Sequence, residues 1–193
     1  MRLFAALDIP EDVRAAIGAL VKQLRGQLRH ARWVRVEGAH VTLKFIGEVP
    51  TEKMEDIKAA LTTVPFPAPI NIIYRGLGFF PNERRPRVLW AGIEASPALG
   101  ELATAVDAAL EPLGIAREQR TFSPHLTLAR LDSPKHLNHL LEGIAAAEPL
   151  EFGSGVAIEF HLYQSVLKQG GAEYTRLATF VTAGSTLHRK RSE

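Results

Sequence analysis

Apolar and polar positions alternate with a period of two through residues 40–47 (HVTLKFIG) and through the shorter HLTLAR at 125–130, the pattern of half-buried β-strands. Strand parity directs His40 and Thr42 to one face and Val41, Leu43 and Phe45 to the opposite, core face. The same parity sets His125 and Thr127 against Leu126 and Leu128. Apolar runs predict further strands at residues 2–8, 70–77, 88–93, 156–163, 165–167 and 174–181, with a short one at Trp33-Val34. Helical spacing of Val13, Ala16, Ile17, Leu20, Val21 and Leu24 predicts a helix over 10–28, opened by Pro10 with Glu11 and Asp12 in its first turn. A second helix is expected from a Thr51 cap up to Pro65, a third from Ser96-Pro97 to about 112, and a fourth from Ser133-Pro134 to about 147. The loop GFFPNERRPR joins the strands at 70–77 and 88–93.

One histidine–threonine strand thus falls in each half of the chain, each followed by a helix that a Thr or Ser opens. This pattern predicts an α+β fold of two similar lobes. No shift in composition marks a linker, so residues 1–183 are expected to form a single bilobal domain and 184–193 a disordered basic tail.

Composition narrows the chemistry. The chain has 193 residues and no cysteine, which excludes disulfide frameworks, cysteine–zinc sites and cysteine nucleophiles. The N-terminus lacks a signal-peptide pattern and no apolar run is long enough to span a membrane, so a cytoplasmic protein without membrane partners is expected. The sequence pI near 9.0 invites a nucleic-acid reading. However, Arg189, Lys190 and Arg191 against Glu193 account for the whole formal net charge of +2 and leave the body neutral. Broad binding to long polyanions is therefore not expected, while a small or terminal nucleic-acid group remains compatible.

The repeated motif carries the candidate catalytic chemistry. Histidine holds or gives a proton near neutral pH. Two imidazoles could therefore serve an attacking and a leaving oxygen, while Thr42 and Thr127 hold the non-bridging oxygens of one phosphodiester. Taken singly, each histidine would be read as a core residue bonded to backbone; duplication in matched context argues otherwise. A metal site lacks its further ligands near either motif, and His136 and His139 read as surface residues. Neither a Walker loop nor a GxSxG elbow occurs.

These residues, with RLFAALDIP, HVTLKFIGEV, GLGFFPNERRPRVLWAGI, FSPHLTLAR and LYQSVLKQGGAEYTRL, resemble the two-histidine phosphoesterases, specifically the RNA 2′,3′-cyclic phosphodiesterase or 2′–5′ RNA ligase group. The resemblance implies a bilobal fold of two pseudo-symmetric lobes with antiparallel sheets flanked by helices and the active site in the cleft between them, acting without metal or cofactor on RNA ends or small nucleotides bearing a 2′,3′-cyclic phosphate. His40 would protonate the leaving 3′-oxygen and His125 would activate water, giving a 2′-phosphate. A 5′-hydroxyl in place of water would give reversible, ATP-independent 2′–5′ ligation. Relatives of this fold that only bind a nucleotide such as AMP supply the alternative, a non-catalytic module. Arg130 resembles a family arginine at the phosphate or base, although strict alternation sets it opposite His125 unless a bulge or the strand end intervenes. Phe122 is a candidate for stacking a nucleobase or for the core. Tyr163, Ser165 and Tyr174 match the family's closing segment, in substrate binding or in packing. Arg84, Arg85 and Arg87 could steer RNA or be simply solvated. A monomer is the expected state.

Overall fold

The computed structural model describes residues 1–26, 31–66, 69–131, 150–169 and 171–181. In chain order the elements are β1 (Arg2–Asp8), α1 (Glu11–Arg25), β2 (Ala31–Trp33), β3 (His40–Glu48), α2 (Met54–Thr62), β4 (Ile70–Phe80), β5 (Val88–Ala95), α3 (Ala98–Leu110), β6 (His125–Leu131), β7 (Glu151–Ala157), β8 (Glu159–Lys168) and β9 (Gly171–Val181). The strands form two antiparallel sheets, one in the order β3-β1-β8-β9 and one in the order β2-β6-β5-β4-β7. The fold is α+β, as the sequence pattern predicts. The helix expected at 133–147 and the basic tail lie outside the described residues.

The internal repeat is a strand, a helix and a histidine-bearing strand that returns antiparallel to the first. It appears as β1–α1–β3 in one sheet and as β5–α3–β6 in the other. The helices cross over: α1 lies against β7 and β2 of the five-stranded sheet, and α3 against β3 of the four-stranded one. Each does so along an apolar stripe at helical spacing, Val13, Ile17, Val21 and Leu24 in α1 and Leu99, Leu102, Ala103, Val106 and Leu110 in α3. Each fully buried leucine or isoleucine in these stripes contributes about 1.5–3 kcal/mol. Buried residues of both sheets and all three helices form one continuous cluster.

Four local expectations change. Thr51 does not cap α2. Pro50 fixes the entry with φ −60° and ψ 148°, and residues Thr51–Lys53 tighten into a 3-10 turn with no side-chain cap. The α-helix proper begins at Met54, with Glu55 and Asp56 supplying the negative charge its N-terminus favours. β4 runs on to Phe80, because a bulge between Tyr74 and Leu77 absorbs Arg75 and Gly76 without ending the ladder. The run at 156–163 is two strands: β7 pairs with β4, and β8 with β1 and β9. The chain passes from one sheet to the other around Ile158, within a continuous β-rich stretch whose alternation carries no mark of the crossing. The strand expected at 165–167 is part of β8.

A buried ion pair ties the repeat units together. Lys44 of β3, only 6% exposed, lies 2.5 Å from Asp107 of α3 and donates to the Ala116 carbonyl at 2.6 Å. Removing one member strands the other charge in a low-dielectric environment. Asp107→Ala should therefore lower stability in urea unfolding by about 3–5 kcal/mol, whereas Lys44→Met combined with Asp107→Ala should recover most of that loss.

Candidate active site

β3 and β6 have the same burial sequence over seven residues: half-buried histidine, buried, half-buried threonine, two buried residues, one exposed and one buried. The two adjacent buried residues mark a β-bulge at the same motif position in each strand. In β3, Ala6 faces Thr42 and Ala5 faces Lys44, leaving Leu43 without a partner. In β6, Trp90 faces Thr127 and Leu89 faces Ala129, leaving Leu128 out. The extra residue inverts side-chain parity beyond it. Arg130 consequently emerges on the side of His125 and Thr127, the outcome that simple alternation denies. Phe45, expected in the core, emerges on the side of His40 and Thr42 and is 62% exposed.

The imidazoles are held alike. His40 Nδ1 donates to the Gly38 carbonyl at 2.7 Å and His125 Nδ1 to the Ser123 carbonyl at 2.8 Å, each acceptor two residues upstream. A carbonyl oxygen can only accept, so Nδ1 carries the proton and Nε2 is left as the nitrogen of each ring that can take up another. Aromatic rings pin both. Phe4 stacks on His40 at 4.5 Å and Tyr174 meets it edge-on at 5.1 Å, while Phe80 meets His125 edge-on at 4.8 Å beside Trp90. Two glycines make room for this packing. A Cβ at Gly38 would stand 2.8 Å from the Tyr174 ring, and one at Gly78 only 2.2 Å from Trp90.

β3 and β6 run close together where the sheets meet, and His125 acts electrostatically on His40. Burial holds His40 below the ordinary histidine range. The Gly38 hydrogen bond and the Asp8 charge oppose that shift, and Arg14 and His125 add to it. The surroundings of the two histidines differ in one respect. Across the strand pair from His40 stands Asp8, whereas the residue across from His125 is Gly92. Asp8 accepts from the Tyr163 hydroxyl at 2.5 Å and from Arg176, and lies 3.6 Å from Nε2 of the buried His161. Burial and the bond to Asp8 push Tyr163 up to about 12. A polar cavity of about 410 Å³ opens beside His40, lined by Asp8, Arg14, Arg35, Tyr163, Tyr174 and Arg176 among others.

The structure therefore brings His40, Thr42, Tyr163 and Tyr174 together on one side and His125, Thr127 and Arg130 on the other. Ser165 lies two residues beyond Tyr163 on β8, paired with Arg2 and Tyr174. Phe122 is apart from both groups: it packs against the core and lines a groove with Leu43, Lys44 and α3, on the opposite side of β3 from His40. Arg84 and Arg85 follow Phe80 in a turn whose backbone N–H groups donate to Asn82 Oδ1. Phe4, Asp8, Phe80, Trp90 and Arg176 join the site without a motif to announce them. Asp8 alone leaves a trace in the sequence, as the polar end of an otherwise apolar strand. Among the described residues no three His, Cys, Asp or Glu side chains gather to hold a metal, and no helix is long and apolar enough to cross a membrane.

A duplicated unit that places a histidine–threonine strand from each half beside the other, with the two histidines close enough to act on one another, fits the two-histidine phosphoesterase class. The chain belongs to the LigT-like phosphoesterase family, whose profile matches residues 7–90 and 93–173, each segment holding one motif. It is 36% identical over 181 residues to the RNA 2′,3′-cyclic phosphodiesterase of Archaeoglobus fulgidus, covering 93% of this chain and 99% of that protein. It is likewise 36% identical to the enzyme of that name from Thermus thermophilus, covering 95% and 91%. The fold superposes on a crystal structure of a Thermus thermophilus protein with a TM-score of 0.79 and 35% identity, covering 96% of this chain and all of that one. It superposes on Escherichia coli LigT complexed with 3′-AMP with a TM-score of 0.75 and 27% identity, covering 94% and 98%.

Two titration outcomes follow. Asp8 favours protonated His40, so in Asp8→Asn the His40 ring resonances should titrate at lower pH than in wild type. His161 is also held below the ordinary value of 6.5, chiefly by burial. Below that value the unfolded chain binds protons that the folded chain refuses, so this contribution is present above pH 6.5 and is lost as pH falls through it. The thermal midpoint should drop between about pH 7.5 and 5.5, and drop less steeply in His161→Gln.

Proposed function

We propose that this chain is an RNA 2′,3′-cyclic phosphodiesterase that opens the cyclic ester to a 2′-phosphomonoester by proton transfer between two histidines. The observation that carries this reading is the pair of Nε2 atoms left working by identical Nδ1–carbonyl bonds on the two motif strands. The names of the relatives support it.

In the proposed cycle His125 Nε2 takes a proton from water as its oxygen attacks phosphorus. The bond from phosphorus to the 3′-oxygen breaks, and His40 Nε2 gives that oxygen a proton. The product carries a 2′-phosphate and a 3′-hydroxyl, and exchange with solvent restores the histidines. Thr42 and Thr127 donate to the non-bridging oxygens, and Arg130 offsets their growing charge. His40 is disfavoured as a cation by burial, so its proton depends on Asp8 and on the negative charge of the bound phosphate. What favours His40 as the acid is Asp8, which opposes that shift and stands across the strand pair from His40 where His125 has only Gly92.

The reaction needs no metal and no cofactor, because both proton transfers are made by side chains. A 5′-hydroxyl replacing water would yield a 2′–5′ linkage by the same steps. Tyr163 and Ser165 belong to the substrate-binding wall in this reading, and the protein works as a cytoplasmic monomer.

Release of 2′-phosphate from a nucleoside 2′,3′-cyclic phosphate should continue in excess EDTA and follow a bell-shaped pH profile. His40→Ala and His125→Ala should each lower kcat by about 10²–10⁴, with the double variant little worse than either alone. Arg130→Gln should lower kcat/KM by a smaller factor. Nucleotide binding by wild-type protein that turns over no cyclic phosphate would instead identify the non-catalytic module.

A further inference from the structure

We propose that Arg14 is the positioning residue of His40: from the start of α1 it pins the short turn whose Gly38 carbonyl aims the imidazole. The proposal rests on the phosphodiesterase reading above and deepens it by naming what holds the acid in place.

Each motif histidine is aimed by a carbonyl two residues upstream, so each ring is placed only as well as that carbonyl. For His125 the acceptor is Ser123, and Pro124 stiffens the link between them because its ring fixes φ. For His40 the acceptor is a glycine, the residue with the widest backbone freedom. The Tyr174 ring leaves no room for a Cβ there, so the freedom cannot be removed by a side chain at position 38. The first unit needs its restraint from elsewhere.

Arg14 supplies it. Nη1 donates to the Val36 carbonyl at 2.9 Å and to the Glu37 carbonyl at 2.8 Å. Nη2 reaches the Ile9 carbonyl at 3.3 Å and Nε the Glu11 carboxylate at 3.2 Å. One rigid guanidinium fork thus joins the residue after β1, the first turn of α1 and the 3-10 turn Val36–Gly38. The restraint passes on through the backbone. The Gly38 carbonyl shares a planar peptide with the Ala39 N–H, which donates to the Val36 carbonyl at 3.0 Å. Arg14 holds that same Val36 oxygen, and through Glu37 it also holds the peptide leading into Gly38. Both peptides that flank the Gly38 α-carbon are therefore fixed by one side chain, itself only 19% exposed. The charge of Arg14 works against protonated His40, as does the neighbouring His125, while Asp8 opposes both. What Arg14 offers the histidine is its set of hydrogen bonds.

The test compares wild type, Arg14→Ala and Arg14→Lys by ring-nitrogen NMR of the histidines, recorded above their titration range, and by kinetics on adenosine 2′,3′-cyclic phosphate. In Arg14→Ala the His40 nitrogen signals should move from the Nδ1-protonated form toward the average of two tautomers, while those of His125 stay in place. A misaimed acid should lower kcat by about 10- to 100-fold with little change in KM. Arg14→Lys, whose ammonium serves fewer of the carbonyls, should fall between the two. Unchanged His40 signals would overturn the assignment, and so would equal movement in both histidines, the mark of a general loosening. A raised KM with kcat intact would instead make Arg14 a substrate contact in the cavity wall. Should Arg14→Ala not fold, Arg14→Lys against wild type carries the same comparison. If wild-type protein hydrolyses no cyclic phosphate, the phosphodiesterase reading fails by itself, and the tautomer shift still decides the role of Arg14.

Discussion

The arrangement of the cleft depends on one extra residue in each motif strand. Strict alternation beyond the threonines would turn Lys44 and Ala129 outward and bury Phe45 and Arg130. By leaving Leu43 and Leu128 unpaired, the bulges let both leucines and the residues after them, Lys44 and Ala129, turn inward together. The core gains consecutive buried positions and the cleft gains Phe45 and Arg130. Bulges also increase local twist, which here occurs in the two strands that approach each other between the sheets.

Holding those strands in register is a task for the crossed helices. Because α1 covers the five-stranded sheet and α3 the four-stranded one, neither sheet can shift without disturbing the helix of the other unit. The Lys44–Asp107 pair fastens that crossing immediately behind Thr42 and Phe45. The site residues stand on strands whose backs are fully packed, which suits groups that must be placed before any substrate arrives.

Much of this is legible in the sequence because it rests on short-range periodicity. The strands at both motifs, the three described helices and the facing of His40, Thr42, His125 and Thr127 follow from patterns between near neighbours in the chain. The bulges do not, since a bulge is a property of a strand and its partner, and Ala5-Ala6 and Leu89-Trp90 lie far away in sequence. For that reason alternation alone assigns Phe45 to the core and leaves Arg130 undecided. The same holds for the break near Ile158, which is defined by a change of sheet rather than a change of composition. Phe122 is close to the motif in sequence, but it packs in a groove with Leu43 and Lys44 on the back of β3. The carbonyl acceptors of Gly38 and Ser123 and the network around Asp8 are invisible there, because backbone acceptors and cross-strand partners leave no letter pattern.

In the proposed reaction, the inequality of Asp8 and Gly92 has a consequence for the products. A cleft with true two-fold symmetry would receive a cyclic phosphate in either of two orientations, swap the duties of its histidines between them, and release a mixture of 2′- and 3′-phosphates. A carboxylate beside one imidazole and a bare backbone beside the other make those orientations unequal. In the proposed reaction, regioselectivity would therefore enter through the strands next to the motifs, where the two units differ, and not through the motifs, which are alike.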